Sequence, residues 1–383
     1  MSKYYLHADR FFLPSSVEMG GYLAVEDGVF GAYTKEKPVG DILDYSGKWL
    51  APGLVDTHIH GYHGHDVMDH DVAGLEAISQ GLLSCGVTSF LPSTLTSTVE
   101  ILNDVCETIG QHHQEVTGAK IQGIFFEGPF FTEKHKGAQN PSYFTDPDLA
   151  VFKKWQDLSG GMIKKIAIAP EREGAAEFTA ALVNEGVSVA LGHSDATYEQ
   201  AKASVEAGAS VFVHTYNGMS GLSHREPGMV GAAMTSAGTV AELICDGHHV
   251  HPVAAKALIQ AKTPDNIALI TDCMRAGGMP DGDYFLGEFP VIVKDGAARL
   301  KNGGSLAGSI LRLFEGVKNV VDWNLATVAD AIYMATEVPA RSCHIDHVCG
   351  SIRLGRAADF IILSDKLDLE ETYLDGVSVY QKG

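Results

Sequence analysis

The sequence feature that most constrains the fold is a repeated pattern of short β-rich runs, each followed by a helix-like segment, between about residue 54 and residue 272. Eight such runs occur along the chain: GLVDTHIH, TSFLPSTLT, IQGIFFEG, IKKIAIAP, VSVALGHS, SVFVHTYN, VAELICDG and NIALITDC. Strands that alternate with helices predict an α/β fold with a parallel sheet. The pattern alone fits both a (β/α)8 barrel and an open, doubly wound sheet.

The polar residues that follow the runs favour the barrel. These residues are His58, His60, Glu127, His193, His214, Asp246 and Asp272. In a barrel the carboxyl ends of all strands meet at one mouth, whereas an open sheet spreads them along a line. We therefore predict a (β/α)8 TIM-like barrel over residues 51–344, and expect these side chains to converge at its mouth.

The two ends of the chain have a different character from the barrel region. Both hold short alternating runs separated by turn residues, such as YYLHADRFFL near the start and GSIRLGRAADFIILSD near the end. Neither end carries enough apolar surface to fold alone. We predict that residues 1–50 and 345–383 together form a small β-sandwich domain. The segment 289–309 is predicted to be a hairpin and loop inserted after the eighth strand.

Composition indicates the cell compartment that we expect and argues against certain classes of partner. The 383 residues include 48 acidic and 28 basic ones, for a formal charge of −20, which argues against nucleic acid or an anionic membrane as a partner. No apolar run approaches the roughly 18 to 20 residues of a membrane helix, and the first residues lack the pattern of a signal peptide. Six cysteines without a CxxC pair indicate reduced thiols. We expect a cytoplasmic protein.

The pair His58 and His60 is the first indication of chemistry. Residues two apart in a strand face the same side, and paired imidazoles suit a divalent transition metal such as zinc or iron. The alternative is two buried histidines bonded to the backbone. Glu127 ends an apolar strand, where a carboxylate is costly unless it is paired or bound to a metal. With His193 and His214, these residues predict a site for one or two metal ions.

Asp272 supplies an acidic group at the end of the eighth run. A water bound to a metal has its pKa lowered toward neutrality, and Asp272 could take its proton and later return it to a leaving group. This arrangement predicts metal-assisted hydrolysis. His63 and His65 lie beyond the first strand in a glycine-rich loop, and we do not count them as ligands. The segment CHIDHVC, from Cys343 to Cys349, matches no common zinc module.

Several longer motifs carry a specific resemblance. In chain order they are PGLVDTHIHG, FEGPF, GHSDAT, HTYNGM, HREPGMVGAA, DGHHVHP and TDCMRAGG. The chain resembles, over nearly its whole length, the N-acetylglucosamine-6-phosphate deacetylases of the amidohydrolase superfamily. The resemblance implies one metal held by Glu127, His193 and His214, and in some members a second held by His58 and His60. It also implies that the aspartate matching Asp272 is the general base and acid.

The same resemblance implies a sugar-phosphate pocket and a homodimer. The pocket residues would be Ala138, Gln139, Asn217, Gly218, Arg225, His249, Leu306, Ala307 and Gly308. Arg225 and His249 are suited to hold a phosphate in a strongly acidic chain, and Arg225 would reach the pocket of a neighbouring subunit. The alternative for Arg225 is a surface ion pair with Glu226. Ala138-Gln139 replaces the Thr-His of some relatives, and Gly218 stands where alanine is common.

The expected activity is therefore deacetylation of N-acetylglucosamine 6-phosphate to glucosamine 6-phosphate and acetate. The nearest alternative is another amidohydrolase activity, such as that of a cyclic-amide hydrolase or a deaminase. Several members of those classes use a carboxylated lysine, whereas this chain places Glu127 on the third strand. A non-catalytic sugar-phosphate sensor is a further alternative, although a sensor does not need the water-activating base that Asp272 offers.

Overall fold

The computed structural model describes residues 3–14 and 16–383, and its central element is a set of eight short parallel strands. Each run predicted from the sequence overlaps one of these strands. Their bounds, from the first to the eighth strand, are Leu54–Ile59, Val87–Pro92, Ile124–Glu127, Ile163–Ile168, Ser188–Leu191, Val211–Phe212, Val240–Leu243 and Ile267–Leu269. The predicted α/β class is confirmed.

The parallel strands form two hydrogen-bonded sheets. The first strand pairs with the second, which also pairs with the two-residue strand Lys120–Ile121, and the third to the eighth strands pair consecutively. Isolated parallel bridges join Ser93 to Phe125 and Ile59 to Cys273, one at each edge between the two sheets. Because all eight strands are parallel, their carboxyl ends lie on the same side of the molecule.

Helices connect and follow the parallel strands. The α-helices are Val72–Leu83, Val99–His112, Leu149–Leu158, Ala175–Asn184, Tyr198–Glu206, Gly228–Thr235, Pro252–Lys262, Leu313–Asp322, Val328–Met334 and Glu337–Ser342, and the 3₁₀ helices are Val67–Asp69, Glu133–His135, Pro141–Tyr143 and Pro264–Asn266. Side-chain caps fix several starts, since Asp71, Thr98 and Asp148 each accept a backbone N–H of the first turn. Within the described residues, no helix combines the length and the apolar character that crossing a membrane requires.

Both ends of the chain join one eight-stranded sheet. Its strands are Lys3–Leu13, Ser16–Met19, Tyr22–Glu26, Val29–Thr34, Asp41–Pro52, Phe360–Ser364, Leu369–Leu374 and Val377–Gln381. The two ends meet where Asp41–Pro52 pairs antiparallel with Phe360–Ser364. Leu6, Leu50 and Phe360 belong to one buried apolar cluster, so this sheet has a core separate from that of the parallel strands.

Two smaller elements border the carboxyl ends of the parallel strands. A three-stranded antiparallel sheet, Gly282–Leu286, Phe289–Lys294 and Ala297–Leu300, follows the eighth strand, and its last two strands are the predicted hairpin. After it, Ser309 forms a parallel bridge with Cys273 and returns the chain to the strand ends. The two-stranded element Gly61–Tyr62 and His65–Asp66 lies directly after the first strand.

Candidate active site

Six residues predicted from the strand ends come together in the structure. They are His58, His60, Glu127, His193, His214 and Asp272. Three of them, His193, His214 and Asp272, have left-handed φ angles of 45°, 29° and 50°. Residues other than glycine rarely adopt such angles, and the strain is concentrated at functional sites. Each of the three follows the end of its strand, so the bend falls where the side chain enters the cluster.

Glu127 is the centre of this cluster. Its Oε1 lies 3.1 Å from Nε2 of His214 and 3.3 Å from Nε2 of both His58 and His193. Its Oε2 lies 3.4 Å from Nε2 of His60. The carboxylate is buried, so one negative group faces four imidazole nitrogens that water does not screen.

Asp272 completes the cluster on its open side. Its Oδ1 lies 3.2 Å from Nε2 of His60 and 3.6 Å from Nε2 of His58. Three overlapping groups have ligand atoms that all lie within 4.8 Å of one another: His58, His60 and Glu127; Glu127, His193 and His214; and His58, His214 and Asp272. Since the first two groups share Glu127, this one carboxylate could contribute a ligand atom at either of two ion positions.

In each imidazole, a hydrogen bond made by Nδ1 fixes the ring so that Nε2 faces the cluster. Nδ1 of His60, His193 and His214 each donates to a backbone carbonyl, over distances between 2.9 and 3.1 Å. Nδ1 of His58 donates to the carboxylate of Glu242 at 2.9 Å. With the hydrogen on Nδ1, a neutral imidazole presents the bare Nε2 lone pair that a metal needs.

The electrostatics of the cluster favour a bound cation. Burial opposes the charged form of Glu127, but the imidazoles, that of His58 foremost, together hold the pKa of its carboxyl well below its usual range. Burial likewise disfavours an imidazolium, yet Glu127 and Glu242 raise the pKa of His58 to about 9. Nε2 of His58 is fully buried and has no hydrogen-bond partner among the described residues. An orphaned nitrogen among carboxylates fits a divalent metal.

Gln139 contacts the cluster directly. Its Nε2 donates to Oε2 of Glu127 at 2.6 Å, and its Oε1 accepts the backbone N–H of Thr96 at 2.8 Å. Both ends of the amide are therefore engaged, and the side chain is buried. Gln139 fixes the orientation of Glu127, in addition to bordering the pocket.

A cavity of about 360 Å³ opens over the cluster. Eight of the nine residues that the resemblance assigned to a sugar-phosphate pocket line it: Ala138, Gln139, Asn217, Gly218, His249, Leu306, Ala307 and Gly308. His249 donates through Nδ1 to Oδ2 of Asp246 at 2.6 Å, which fixes its ring. Burial works in the opposite direction, but His249 lowers the pKa of the Asp246 carboxyl.

The structure does not bring Arg225 into this cavity. Arg225 is exposed and lines a neighbouring hollow of about 600 Å³. His135 lines both spaces, and its Nε2 contacts Oδ1 of Asp195 at 3.0 Å. Sequence reasoning missed His135 because it lies in the 3₁₀ turn Glu133–His135 and not at a strand end.

Two buried charged residues behind the cluster were also not predicted. Lys165 on the fourth strand and Glu242 on the seventh form a fully buried ion pair, and Glu242 also accepts from His58. Each interrupts an apolar run, in IKKIAI and VAELI, and charged residues are almost never fully buried unless they are paired. That signal was present in the sequence, but the strand pattern gave no means of pairing the two.

Comparisons with known proteins agree with this fold. The profile of the amidohydrolase family matches residues 49–379. The chain belongs to the amidohydrolase family. The family implies a divalent metal, and the groups of histidine, glutamate and aspartate described above could bind one.

Particular relatives narrow the comparison. The chain is 42% identical to the N-acetylglucosamine-6-phosphate deacetylase of Vibrio furnissii, over 86% of this chain and 83% of that protein. It is 40% identical to the N-acetylgalactosamine-6-phosphate deacetylase of Escherichia coli O157:H7, over 92% of this chain and 93% of that one. A mutant of N-acetyl-D-glucosamine-6-phosphate deacetylase from Mycobacterium smegmatis, solved with N-acetyl-D-glucosamine-6-phosphate, is similar with a TM-score of 0.94 and 29% identity, covering 99% of this chain and 100% of that one.

Proposed function

We propose that the protein deacetylates N-acetylglucosamine 6-phosphate, giving glucosamine 6-phosphate and acetate. The observation that carries the proposal is the buried carboxylate of Glu127, shared by four imidazoles beside Asp272 at the floor of a cavity. The names of the relatives in Vibrio furnissii and Mycobacterium smegmatis supply the substrate. Hydrolysis of an amide needs an activated water and a proton for the amine, and this cluster has groups for both.

A divalent metal is part of the proposal, and the residues of the cluster fit it. Glu127, His193 and His214 would hold one ion, and His58 and His60 with Glu127 would hold a second. When bound, such an ion polarises an amide carbonyl and lowers the pKa of water. Imidazole and carboxylate ligands suit zinc and iron, so we propose one or two ions of these metals for each subunit.

Asp272 is the proposed proton carrier. Burial opposes its ionisation, but the neighbouring imidazole of His60, whose Nε2 lies 3.2 Å from Oδ1, lowers the pKa of its carboxyl. The carboxylate is the proposed base. Its carboxylate accepts one proton from the attacking water, whose oxygen bonds to the amide carbon. The same proton then passes to the sugar nitrogen as the carbon–nitrogen bond breaks, which gives a free amine and acetic acid. The acid releases its own proton to solvent and leaves as acetate.

The cavity is the proposed sugar-phosphate pocket. Asn217 offers a neutral amide donor, and Asp246 fixes the ring of His249 by accepting from its Nδ1. In its imidazolium form, His249 would donate through Nε2 to a phosphate. Arg225 is the proposed phosphate ligand across a subunit interface, which agrees with its position outside the cavity of its own subunit.

We further propose that the eight parallel strands close into a (β/α)8 barrel over residues 51–344, with residues 1–50 and 345–383 forming a small β-sandwich domain. The two bridges between the parallel sheets support closure, because they lie at both edges. The joint sheet of the chain ends, with its own apolar cluster, supports the second domain.

The direct test is release of acetate by purified protein. With N-acetylglucosamine 6-phosphate we expect turnover that falls to background after chelation and returns when zinc or iron is added back. For N-acetylglucosamine without the phosphate, kcat/KM is expected to be at least about 100-fold lower. That sugar lacks the group whose charge-assisted hydrogen bonds orient the substrate in the site. Activity that survives complete metal removal, or that ignores the phosphate, contradicts the proposal.

A second candidate substrate is N-acetylgalactosamine 6-phosphate. The Escherichia coli O157:H7 relative carries that name and is 40% identical over nearly its full length. The two sugars differ only in the configuration of one hydroxyl group, so the same hydrolysis of the acetamide would apply to both. Comparing kcat/KM for the two phosphates in the same assay decides between them. Turnover of a cyclic amide or an aminopurine, with no turnover of either sugar, would instead favour another amidohydrolase activity.

We propose a homodimer in the cytoplasm as the working form. Arg225 is exposed and lines an open hollow, and His135 lines both this hollow and the cavity over the metal cluster. A partner subunit bound at the hollow would therefore place its cationic side chains near the substrate. Light scattering is expected to give a mass of about twice 40.9 kDa, and Arg225→Ala is expected to raise KM with little change in kcat. A monomeric mass at assay concentration contradicts the dimer.

A further inference from the structure

The buried pair Lys165 and Glu242 is not accounted for by the reaction or by packing. Both side chains have no exposed surface, and Oε1 of Glu242 accepts from Nζ of Lys165. Nζ of Lys165 also donates to the carbonyl oxygen of Thr57 at 2.8 Å and lies 3.8 Å from the centre of the Phe125 ring. The lysine is therefore held in place by three contacts, which come from the first, third and seventh strands.

The second oxygen of Glu242 reaches the metal cluster. Oε2 accepts from Nδ1 of His58 at 2.9 Å and from the backbone N–H of His214 at 3.3 Å. One carboxylate thus contacts the side chain of one proposed ligand and the main chain of another. The other proposed imidazole ligands, His60, His193 and His214, donate to neutral carbonyls. His58 is distinguished from them by a charged acceptor.

A charged pair at these positions is costly for the fold. Taking two charges out of water is unfavourable for each ion, and a well-packed apolar pair of similar size is often as stable or more so. Every neighbouring position on the fourth and seventh strands that faces the interior is apolar and buried. The pair therefore needs a reason beyond packing, and the contact between Glu242 and His58 provides one.

We propose that Glu242, held by Lys165, is a positioning residue that makes the His58–His60 half of the centre competent to bind a metal ion. The carboxylate fixes the ring and the tautomer of His58, and its charge strengthens Nε2 as a donor to the ion. Lys165 fixes the carboxylate and offsets its burial. This inference rests on the proposed metal-dependent function. A purely structural pair would affect unfolding but not the affinity of one metal site.

The test compares two double variants that leave no buried charge unpaired. Lys165→Met with Glu242→Leu removes both charges and the acceptor of His58, whereas Lys165→Met with Glu242→Gln restores a neutral acceptor oxygen. Chelator-treated protein is titrated with Zn²⁺ alone by calorimetry, and His60→Asn identifies which binding event belongs to the His58–His60 half. The leucine variant is expected to weaken that event about 10- to 100-fold, and the glutamine variant to recover part of the loss.

The other event, at Glu127, His193 and His214, is expected to change less than about threefold in both variants. Lys262→Met is the matched control, because Lys262 is also a buried lysine, which ends the helix Pro252–Lys262 and is bonded to Ser236 and Thr239 and not to a residue of the cluster. It should leave both Zn²⁺ events unchanged. Circular dichroism and thermal unfolding check each variant. If the leucine variant does not fold, Glu242→Asp, which withdraws the carboxylate by one methylene, replaces it with the same expected weakening.

Three results would overturn the inference. They are a wild-type protein with a single Zn²⁺ event, a leucine or aspartate variant that binds both ions as the wild type does, and a glutamine variant no better than leucine. The titration uses no substrate, so its outcome is separate from that of the acetate assay. Wild-type protein that binds two Zn²⁺ ions but releases no acetate would contradict the proposed function and not this inference.

Discussion

Replacing Asp272 with asparagine is expected to lower kcat about 10³-fold while KM for the sugar phosphate stays within about threefold. Asparagine keeps the size and the polar contacts of the side chain but cannot take a proton from water. Asp272 lies 3.2 Å from Nε2 of His60 at the edge of the cavity, where an attacking water would stand. The loss should therefore fall on the chemical step and not on binding.

The measurement needs a check on metal content, because a carboxylate oxygen of Asp272 also lies within 4.8 Å of the ligand atoms of His58 and His214. Metal analysis of Asp272→Asn should match the wild type when both are loaded identically. Asp322→Asn, on the exposed side of the helix Leu313–Asp322, is the control for the substitution itself and should retain full turnover. A loss of less than about tenfold in Asp272→Asn would remove the residue from its proposed role.

The strand ends were predictable because the evidence for them is local. A short apolar run shows where a strand lies, and the polar residue after it shows where the chain leaves the sheet. His58, Glu127, His193 and Asp272 were each found in this way, and parallel strands place their ends side by side. The distances among them follow from the sheet, without information about distant pairs in the sequence.

The network behind these residues could not be predicted by the same logic. Lys165 and Glu242 are 77 positions apart and lie on strands that do not pair with each other. The strand pattern shows that each is a charged residue within an apolar run, but it does not show that the two side chains contact each other. Likewise, Gln139 was assigned to substrate from resemblance, and only the structure shows its hydrogen bond to Glu127.

Arg225 illustrates a different limit. Its assignment came from a motif and not from a strand end, and it lies in a loop whose position depends on the surrounding helices. In the single chain it lines a hollow beside the metal pocket and not the pocket itself. The role proposed for Arg225 is a contact across an interface between subunits, and the strand pattern of a single chain does not reveal such contacts.

Replacing Glu127 with glutamine is expected to have the second large effect, at least about 10²-fold weaker metal binding together with about 10³-fold lower turnover at limiting metal. Glutamine has nearly the same shape but lacks the charge that faces four imidazole nitrogens at 3.1 to 3.4 Å. Because this carboxylate is common to both proposed ion positions, its loss should weaken both together. Loss of His60 alone should weaken only one.

The distinction can be measured by titrating chelator-treated Glu127→Gln and His60→Asn with Zn²⁺ and following acetate release at each metal concentration. Glu177→Gln, on the exposed side of the helix Ala175–Asn184, controls for the substitution and should behave as the wild type. If Glu127→Gln loses only one binding event, the carboxylate serves one ion and the centre is not bridged. If it loses neither, Glu127 is not a ligand, and the four imidazoles around it must hold the metal without a shared anion.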